Sequence, residues 1–469
     1  MKSSNYNLLV KLPDNKILLA FNAFTMALAE FPLKDLPIIQ HILNEPDDQI
    51  NKRGNRAKIR KTLEKSGFLI DNAKDELAIL KVRNRMERFA QDNHLSLTIA
   101  PTLNCNFRCV YCYEKHKKEM MNAATMKALV KYVNKEMSDG KNLFVTWFGG
   151  EPLLAMGEIA YLSKKFMTIT EKKNGRYNAS MVTNGYLLKK ETAQKLKTYG
   201  VTRVQITIDG PKKIHDSRRP LINGRGTFKT ILNNIKDSCD LLNISLRINV
   251  DKKNAPYTQE VLGTLEQEGL KNKISPYLGH VYPYTDICAD VQKTCFRKEQ
   301  FSFLEARFNL EMLEKGFTAS SYPQDKGGFC TADSLHSMVV APSGAIVKCW
   351  NNICDEEALI GHLLSRELSP KMHSNLCTWL AWDPFEKQTC IECEILPICM
   401  GGCPYIAFRK GLKDKGDCLD WKYNLKEMLS LYYLQKKKRE EIEIANALLT
   451  QVEKLRKEIK KEQKEQATA

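Results

Sequence analysis

The sequence predicts an α/β protein built on a parallel sheet or barrel, with a small N-terminal module before it and a cysteine-rich part after it. Two observations carry this expectation. Between about Leu95 and Asp325, short apolar runs alternate with amphipathic runs at helical spacing, the pattern of repeated strand–helix units. Downstream, cysteines crowd a stretch with little periodicity.

The elements follow in order. Leu8–Leu12 and Ile17–Phe21 are apolar runs split by the turn-prone Pro13, Asp14 and Asn15, which predicts a hairpin. Helical patterning covers Leu36–Leu43 and Ala57–Lys65. Gly67 ends the second helix, and Phe68–Ile70 reads as a short returning strand. Hairpin, helices and returning strand suggest a winged-helix-like module over residues 1–94. In the repeating region, residues 95–325, the predicted strands are Leu97–Ala100, Leu143–Phe148, Ser180–Val182, Val204–Ile208, Ser245–Val250 and Ile274–Leu278. Helical runs between them include Ala123–Lys135, Lys190–Tyr199, Phe228–Leu242 and Thr258–Glu268. Functional residues of such an architecture gather at the C-terminal ends of the strands. Residues 326–425 need something other than a large apolar core to hold them. Residues 426–469 read as a C-terminal amphipathic helix, with Ile442, Leu449, Val452, Leu455 and Ile459 on one stripe.

Composition narrows the function classes. The chain has 469 residues, enough for about three domains, and its 43% hydrophobic and 27% charged residues exclude disorder along the whole length. The net charge is 72 − 55 = +17. Much of the excess is scattered lysine, and lysine interleaves with glutamate after Tyr433, which reads as a solvated helix face; nucleic acid is not the expected partner. No signal peptide and no membrane span are evident, so a cytoplasmic location is expected. Fifteen cysteines in a reducing compartment then point to metal binding or catalysis and away from disulfides.

Cys105, Cys109 and Cys112 form a Cx3Cx2C group just after the first strand of the repeating region. Three thiolates on one short loop can hold three corners of a 4Fe–4S cluster and leave one iron open, as a catalytic centre requires. A zinc site completed by His116 is the alternative from spacing alone. With Tyr111 as the aromatic, the group resembles the signature of the radical S-adenosylmethionine (SAM) enzymes. Further motifs follow at successive strand ends: Trp147 to Pro152, resembling the family's GGEP motif; Thr183, Asn184 and Gly185; Thr207 to Pro211; Ile214 to Leu221; and Arg247 with Asn249. The resemblance spans roughly Leu95 to Leu278. It implies a partial (β/α)6 TIM-like barrel and reductive cleavage of SAM to a 5′-deoxyadenosyl radical. It further implies cofactor contacts from Tyr111, Gly149, Gly150, Glu151, Pro152, Thr183, Asn184, Thr207, Arg219 and Arg247. Among these, Gly149 and Gly150 would let the backbone approach the cofactor, Glu151 would accept from the methionine ammonium, Tyr111 would pack near adenine, and Arg219 would pair with the carboxylate.

Seven more cysteines form a second frame. Cys330 is followed by Gly344 and Cys349, then by Cys390, Cys393, Cys399, Cys403 and Cys418. This frame resembles the SPASM domain, which implies a C-terminal Fe–S cluster domain with two auxiliary 4Fe–4S clusters; a pair of zinc ribbons is the alternative. By the family pattern Cys390, Cys393, Cys399 and Cys418 hold the distal cluster, and Cys330, Cys349 and Cys403 the nearer one. The nearer cluster's fourth position falls to Cys354, to Cys377 or to the substrate. Cys239 is expected inside a helix as a small core residue.

SPASM enzymes act mostly on peptides or proteins. Residues 1–70 resemble the leader-recognition element of ribosomal-peptide maturases, which implies strand addition at a sheet edge. Sulfatase-maturating relatives place an acid directly after the Gx4C cysteine, where this chain has Trp350 after Cys349. The sequence better resembles maturases that make thioether crosslinks from peptide cysteines. The expected partners are a precursor peptide and an electron donor such as flavodoxin or ferredoxin, with no membrane. Sulfatase-type maturation, carbon–carbon crosslinking and, outside enzymes, a zinc-ribbon nucleic-acid-binding protein are the competing readings.

Overall fold

The computed structural model describes residues 1–13, 16–48, 53–90, 92–318, 322–324, 330–365, 367–412 and 415–437. The chain divides into two compact units, each assembled from separated segments. One comprises residues 1–87, 297–329 and 383–469; the other comprises 88–296 and 330–382.

The first unit begins with β1 (Lys2–Ser3), then β2 (Asn7–Lys11), β3 (Ile17–Asn22) and β4 (Ala27–Pro32), the last three forming an antiparallel sheet in that order. The central strand β3 is buried on both faces. Leu18 and Ala20 pack on one side with Ile39, Ile42, Ile59 and Leu63, from the helices Leu36–Asn44 and Gly54–Lys65. Leu19 and Phe21 point the other way, into a cluster with Ile395, Leu396, Ile398 and Leu429. This is the period of two expected of a strand, and each fully buried leucine contributes about 1.5–3 kcal/mol. β5 (Leu69–Ile70) returns to pair with β1, Lys2 opposite Ile70. The helix Glu76–Arg85 follows, capped by the Asp75 carboxylate accepting from the Ala78 amide at 2.9 Å. The same unit contains the long helices Lys298–Glu314 and Trp421–Lys436, which meet through Ala306, Leu310, Met428 and Leu431. The predicted apolar stripe from Ile442 to Ile459 lies outside the described residues, as does most of the Pro13–Asn15 turn.

In the second unit β6 (His94–Thr102), β7 (Asn142–Gly149), β8 (Tyr177–Val182), β9 (Val201–Thr207), β10 (Asn243–Val250) and β11 (Ile274–His280) run parallel in sequence order. Helices Ala123–Glu136, Met156–Lys172, Lys190–Thr198, Phe228–Ser238 and Thr258–Gln267 connect them. The sheet does not close between β11 and β6; it is extended beyond β6, so the barrel is a partial one. The extension was not foreseen: β12 (Ser337–Val340) adds to β6 in parallel, and β13 (Ala345–Val347) and β14 (Gly361–His362) follow antiparallel. Val339, opposite Thr98, is buried with Ala100, Phe148 and Val347. Cys239 caps its helix from outside, partly exposed, with its thiol donating to the Lys236 carbonyl at 3.4 Å, and so is not the helix-core residue expected.

No helix among the described residues is long and apolar enough to cross a membrane.

Candidate functional site

The Cx3Cx2C loop leaves the end of β6 and is held on both sides. The Thr102 hydroxyl accepts from the Asn104 amide at 3.0 Å and donates to the Glu119 carbonyl at 2.6 Å. Further along, the Arg108 amide donates to the Pro220 carbonyl at 2.9 Å and the Val110 amide to the Arg218 carbonyl at 3.1 Å. Cys105 is buried, with the Phe107 amide donating to its sulfur at 3.4 Å. Burial pushes the Cys105 thiol up to about 12, and it raises Cys112 and Cys109 as well, the last partly offset by Arg219. Thiolates in such surroundings need a cationic centre to offset desolvation. Three cysteine thiols on one short loop are a donor set that fits three corners of an iron–sulfur cluster.

The paired glycines at the end of β7 have a role the sequence did not reveal. A Cβ on Gly149, whose φ is +106°, would meet the Thr102 carbonyl oxygen at 2.4 Å, and one on Gly150 would meet the Asn104 carbonyl oxygen at 2.4 Å. The pair lets the end of β7 lie directly against the cysteine loop, with the Gly150 amide donating to Thr102 at 3.2 Å and the Glu151 amide to Asn104 at 2.9 Å. The close approach is therefore to the protein's own backbone.

Glu151 is fully buried and joins two strand ends. Its Oε1 accepts from the Thr183 hydroxyl at 2.6 Å and the Leu153 amide at 3.0 Å, and its Oε2 from the Asn184 amide at 2.7 Å. Three of its roughly four acceptor positions are used, leaving one for a cofactor donor. Burial raises its pKa while these bonds lower it. Asn184 in turn donates from Nδ2 to Asn106 Oδ1 at 2.8 Å, so the strand end holds the cysteine loop. Pro152 opens the short turn that follows Glu151.

At the ends of β9 and β10 lies a hub that sequence reasoning missed. Asp209, fully buried, accepts from the Tyr111 hydroxyl at 2.5 Å, from the Asn249 amide at 3.1 Å and from Arg218 Nε at 3.4 Å. Arg218 continues to Asp251 at 2.9 Å. Arg219 donates from Nη1 to the Tyr111 hydroxyl at 2.6 Å, while its Nε is buried and has no hydrogen-bond partner. Burial disfavours the Arg219 charge, but the Cys109 thiolate and Tyr111 more than offset this and hold its pKa well above the usual range. His215 is neutral: burial, Arg219 and Arg218 push its pKa well down. Its Nδ1 accepts from the Asp209 amide at 3.2 Å, leaving Nε2 to donate to the Thr227 hydroxyl at 3.0 Å. Arg247, paired in register with Thr207, donates to Asn249 Oδ1 at 2.7 Å. Gly279 makes room for it, since a Cβ there would meet Arg247 Nε at 2.4 Å. The only sequence signal for Asp209 was its place in the Thr207–Pro211 strand-end motif.

The second cysteine frame is distributed over both units. Cys330 and Cys349 belong to the barrel unit, where burial, Glu114, Cys112 and Cys349 hold the Tyr113 hydroxyl's pKa well above the usual range. Trp350, 43% exposed, stacks on Phe148 with ring centroids 5.4 Å apart and planes at 16°. Cys354 lies near the Lys115 carbonyl at 3.8 Å, and Cys377 is exposed beside His373 on the helix Pro370–Leu380. Cys390, Cys393, Cys399, Cys403 and Cys418 belong to the other unit. There burial, Cys390 and Cys393 raise the Cys418 thiol, opposed by Lys298 and Lys422. Lys422 Nζ reaches Cys393 Sγ at 3.2 Å.

A family model described as the radical SAM superfamily matches residues 99–253. A cysteine-type anaerobic sulfatase-maturating enzyme of Clostridium novyi (strain NT) is 25% identical over 344 residues, 66% of this chain and 87% of that protein. A serine-type anaerobic sulfatase-maturating enzyme of Klebsiella aerogenes is 22% identical over 329 residues, 64% of this chain and 77% of that protein. The solved structure of native anSMEcpe with bound AdoMet and Kp18Cys peptide shares the fold, with a TM-score of 0.57 at 20% identity over 76% of this chain and 99% of that chain. Residues 99–253 thus match the radical SAM superfamily, and the chain is similar to anaerobic sulfatase-maturating enzymes over about two thirds of its length.

Proposed function

We propose that this enzyme forms thioether crosslinks on a ribosomally made, cysteine-containing peptide. Cys105, Cys109 and Cys112 hold the SAM-binding cluster; Cys390, Cys393, Cys399 and Cys418 hold a distal auxiliary cluster; Cys330 and Cys349 serve a nearer one. With one electron from a donor such as flavodoxin or ferredoxin, the bound cluster and SAM would supply a 5′-deoxyadenosyl radical able to take a hydrogen atom from a peptide carbon. Arg219, with its buried unpartnered Nε, pairs with the SAM carboxylate, and Glu151 offers its remaining acceptor position to the methionine ammonium. Each crosslink removes one C–H and one S–H and makes one C–S bond, so two hydrogens leave. One would become part of 5′-deoxyadenosine; the other leaves as a proton, and the remaining electron would pass to an auxiliary cluster and from there to the external electron carrier.

The observation that carries the reading is Trp350. An indole stacked on Phe148 stands where formylglycine-forming relatives resemble one another in having an acid, and an indole cannot act as a base. The N-terminal sheet supports it: β4 is an edge strand of the described β2–β3–β4 sheet, a template for an added leader strand. The similarity to the Clostridium novyi cysteine-type enzyme favours a second reading, oxidation of a protein cysteine to formylglycine. A mass spectrum of the precursor peptide co-expressed with this enzyme decides between them. Loss of two hydrogens per crosslink, with the cysteine no longer alkylated, is the expected result; exchange of sulfur for oxygen at the cysteine overturns it.

A further inference from the structure

In the barrel unit the two faces of the middle strands differ. Val204 and Ile206 on β9, with Leu246 and Ile248 on β10, are apolar and buried. The residues that alternate with them are polar. Arg247 pairs in register with Thr207 on one side and Tyr277 on the other, and Gln205 shares that face two residues before Thr207. A barrel lumen is ordinarily filled by branched apolar side chains, so a polar one is shaped for a polar occupant.

Arg247 brings a charge to this face. Its Nε donates to Asn249 Oδ1 at 2.7 Å, and its guanidinium carbon lies 5.9 Å from the centroid of the Tyr277 ring. Burial disfavours its charge, and the groups that offset burial are the phenols of Tyr277, Tyr284 and Tyr111. A phenol carries no charge near neutral pH. Among the described residues no carboxylate forms an ion pair with Arg247; Asp209 and Asp251 are engaged by Arg218. The Tyr277 hydroxyl donates to Gln205 Oε1 at 2.5 Å, which leaves the Gln205 amide nitrogen without an acceptor among the described residues. Arg247 and Gln205 thus add N–H donors to the lumen where an acceptor is missing. A guanidinium drawn out of bulk water favours an anion there, and its planar fork matches a carboxylate.

We propose that Arg247, assisted by Gln205, binds a carboxylate of the peptide substrate and so selects for an acidic group beside the reacting carbon. This rests on the reading above that the substrate is a peptide. A short relay separates the site from Arg219: Arg219 and Asn249 Nδ2 both donate to the Tyr111 hydroxyl, at 2.6 and 3.0 Å, and Arg247 donates to Asn249. The two guanidiniums stand at opposite ends of that relay. SAM has a single carboxylate, which Arg219 takes, so the anion at Arg247 belongs to the second molecule in the site.

The test is equilibrium dialysis, read by mass spectrometry, of the anaerobically reconstituted full chain with SAM against three pools of synthetic hexapeptides. Every peptide is N-acetylated and carries one cysteine. The first pool has one Glu and an amidated C-terminus, the second has Gln in its place, and the third has Gln with a free C-terminal carboxylate. Wild type is expected to retain the first or the third pool roughly tenfold or more over the second, the value of a hydrogen bond to a charged group. Preference for the first assigns a side-chain carboxylate, and preference for the third assigns the chain terminus. Arg247→Met should abolish the preference, and Arg247→Lys should restore only part of it. Gly279→Ala keeps every polar group but sets a Cβ 2.4 Å from Arg247 Nε, so it should reduce the preference as well and serves if Arg247→Met does not fold. Equal retention of the three pools by wild type, or a preference that survives in both Arg247→Met and Gly279→Ala, overturns the proposal. So does a loss of SAM affinity in Arg247→Met with the peptide preference intact, which would assign Arg247 to the cofactor. Retention is read without turnover, so this result stands apart from the thioether reading, which the mass spectrum of the co-expressed precursor decides.

Discussion

Arg219 donates to the Tyr111 hydroxyl at 2.6 Å, and this bond ties the arginine of the Ile214–Leu221 motif to the aromatic residue of the cysteine loop. The bond uses one edge of the guanidinium and leaves the buried Nε free for an anion. Arg219→Gln is therefore expected to weaken SAM binding by about 1.5–3 kcal/mol, roughly 10- to 150-fold in Kd, the value of a hydrogen bond to a charged group. Arg219→Lys should recover little of this, because a point charge cannot satisfy both the Tyr111 oxygen and a carboxylate with the same geometry. Equilibrium dialysis with the reconstituted enzyme measures it; wild-type affinity in Arg219→Gln would remove Arg219 from the cofactor site.

Trp350 and Phe148 give a prediction about coupling. Trp350 follows Cys349, and Phe148 immediately precedes the Gly149–Gly150 pair, so their stack links the two regions. Truncating Trp350 to Ala removes an aromatic pair worth about 0.5–1.5 kcal/mol and the surface that the exposed part of the indole offers a peptide. Peptide crosslinking is expected to fall more than tenfold, while SAM cleavage without peptide continues at close to the wild-type rate. Measuring 5′-deoxyadenosine and crosslinked peptide in the same reaction separates the two. A parallel fall in both would mean that Trp350 serves the SAM site instead.

What could be read from the sequence follows the range of the forces involved. The six barrel strands lay at their predicted places because apolar runs of that length, separated by helical periods, depend on local pattern alone. β6 simply extends beyond Leu97–Ala100 to His94–Thr102. Cysteine spacing is local too, so the Cys105–Cys112 group could be read from the sequence, and it falls inside the matched residues 99–253. The two-unit partition was not legible, since it depends on contacts between segments hundreds of residues apart: β3 buries Leu19 and Phe21 against Ile395 and Leu429. Nor was the extra sheet edge, because β12 to β14 are two to four residues long and carry too few side chains for a period to show. Asp209 was passed over because an Asp before Gly and Pro reads first as a turn residue. Its role comes from Tyr111 and Asn249, which reach it from other loops.

Gly402 offers a test of the second cysteine frame. Its φ is +76°, and a Cβ there would lie 1.7 Å from the Asp417 carbonyl oxygen, beside Cys418. The neighbouring Cys403 amide donates to that same carbonyl at 3.1 Å, so the two cysteine-bearing segments are held together here. Gly402→Ala must displace backbone on one side, in addition to about 1–3 kcal/mol for the left-handed conformation. The reconstituted variant is expected to lose roughly four irons per chain, one 4Fe–4S cluster, with the SAM-binding cluster intact. Wild-type iron content and an unchanged melting temperature would show that these segments do not jointly frame a cluster.

Glu305 gives a pH dependence with a definite sign. It lies on the helix Lys298–Glu314 and accepts from Asn424 Nδ2 at 2.9 Å, on the helix Trp421–Lys436. Burial, reinforced by Asp420 and opposed by the Asn424 bond, pushes its carboxyl up to about 7 from an ordinary 4.5. A raised pKa means that the folded chain binds the proton more tightly than the unfolded one. The protonated group's contribution is present in full below about pH 4.5 and is lost as pH rises through 7. At pH 8 the cost of ionising Glu305 in place is no more than about 3 kcal/mol, and less to the extent that water reaches the carboxylate. Glu305→Gln keeps the acceptor for Asn424 and cannot ionise. Its melting temperature should exceed that of the wild type at pH 8, with the difference falling by more than half at pH 5.5 and vanishing only below about pH 4.5. A difference of equal size at both pH values would assign the effect to packing and leave the carboxylate out of it.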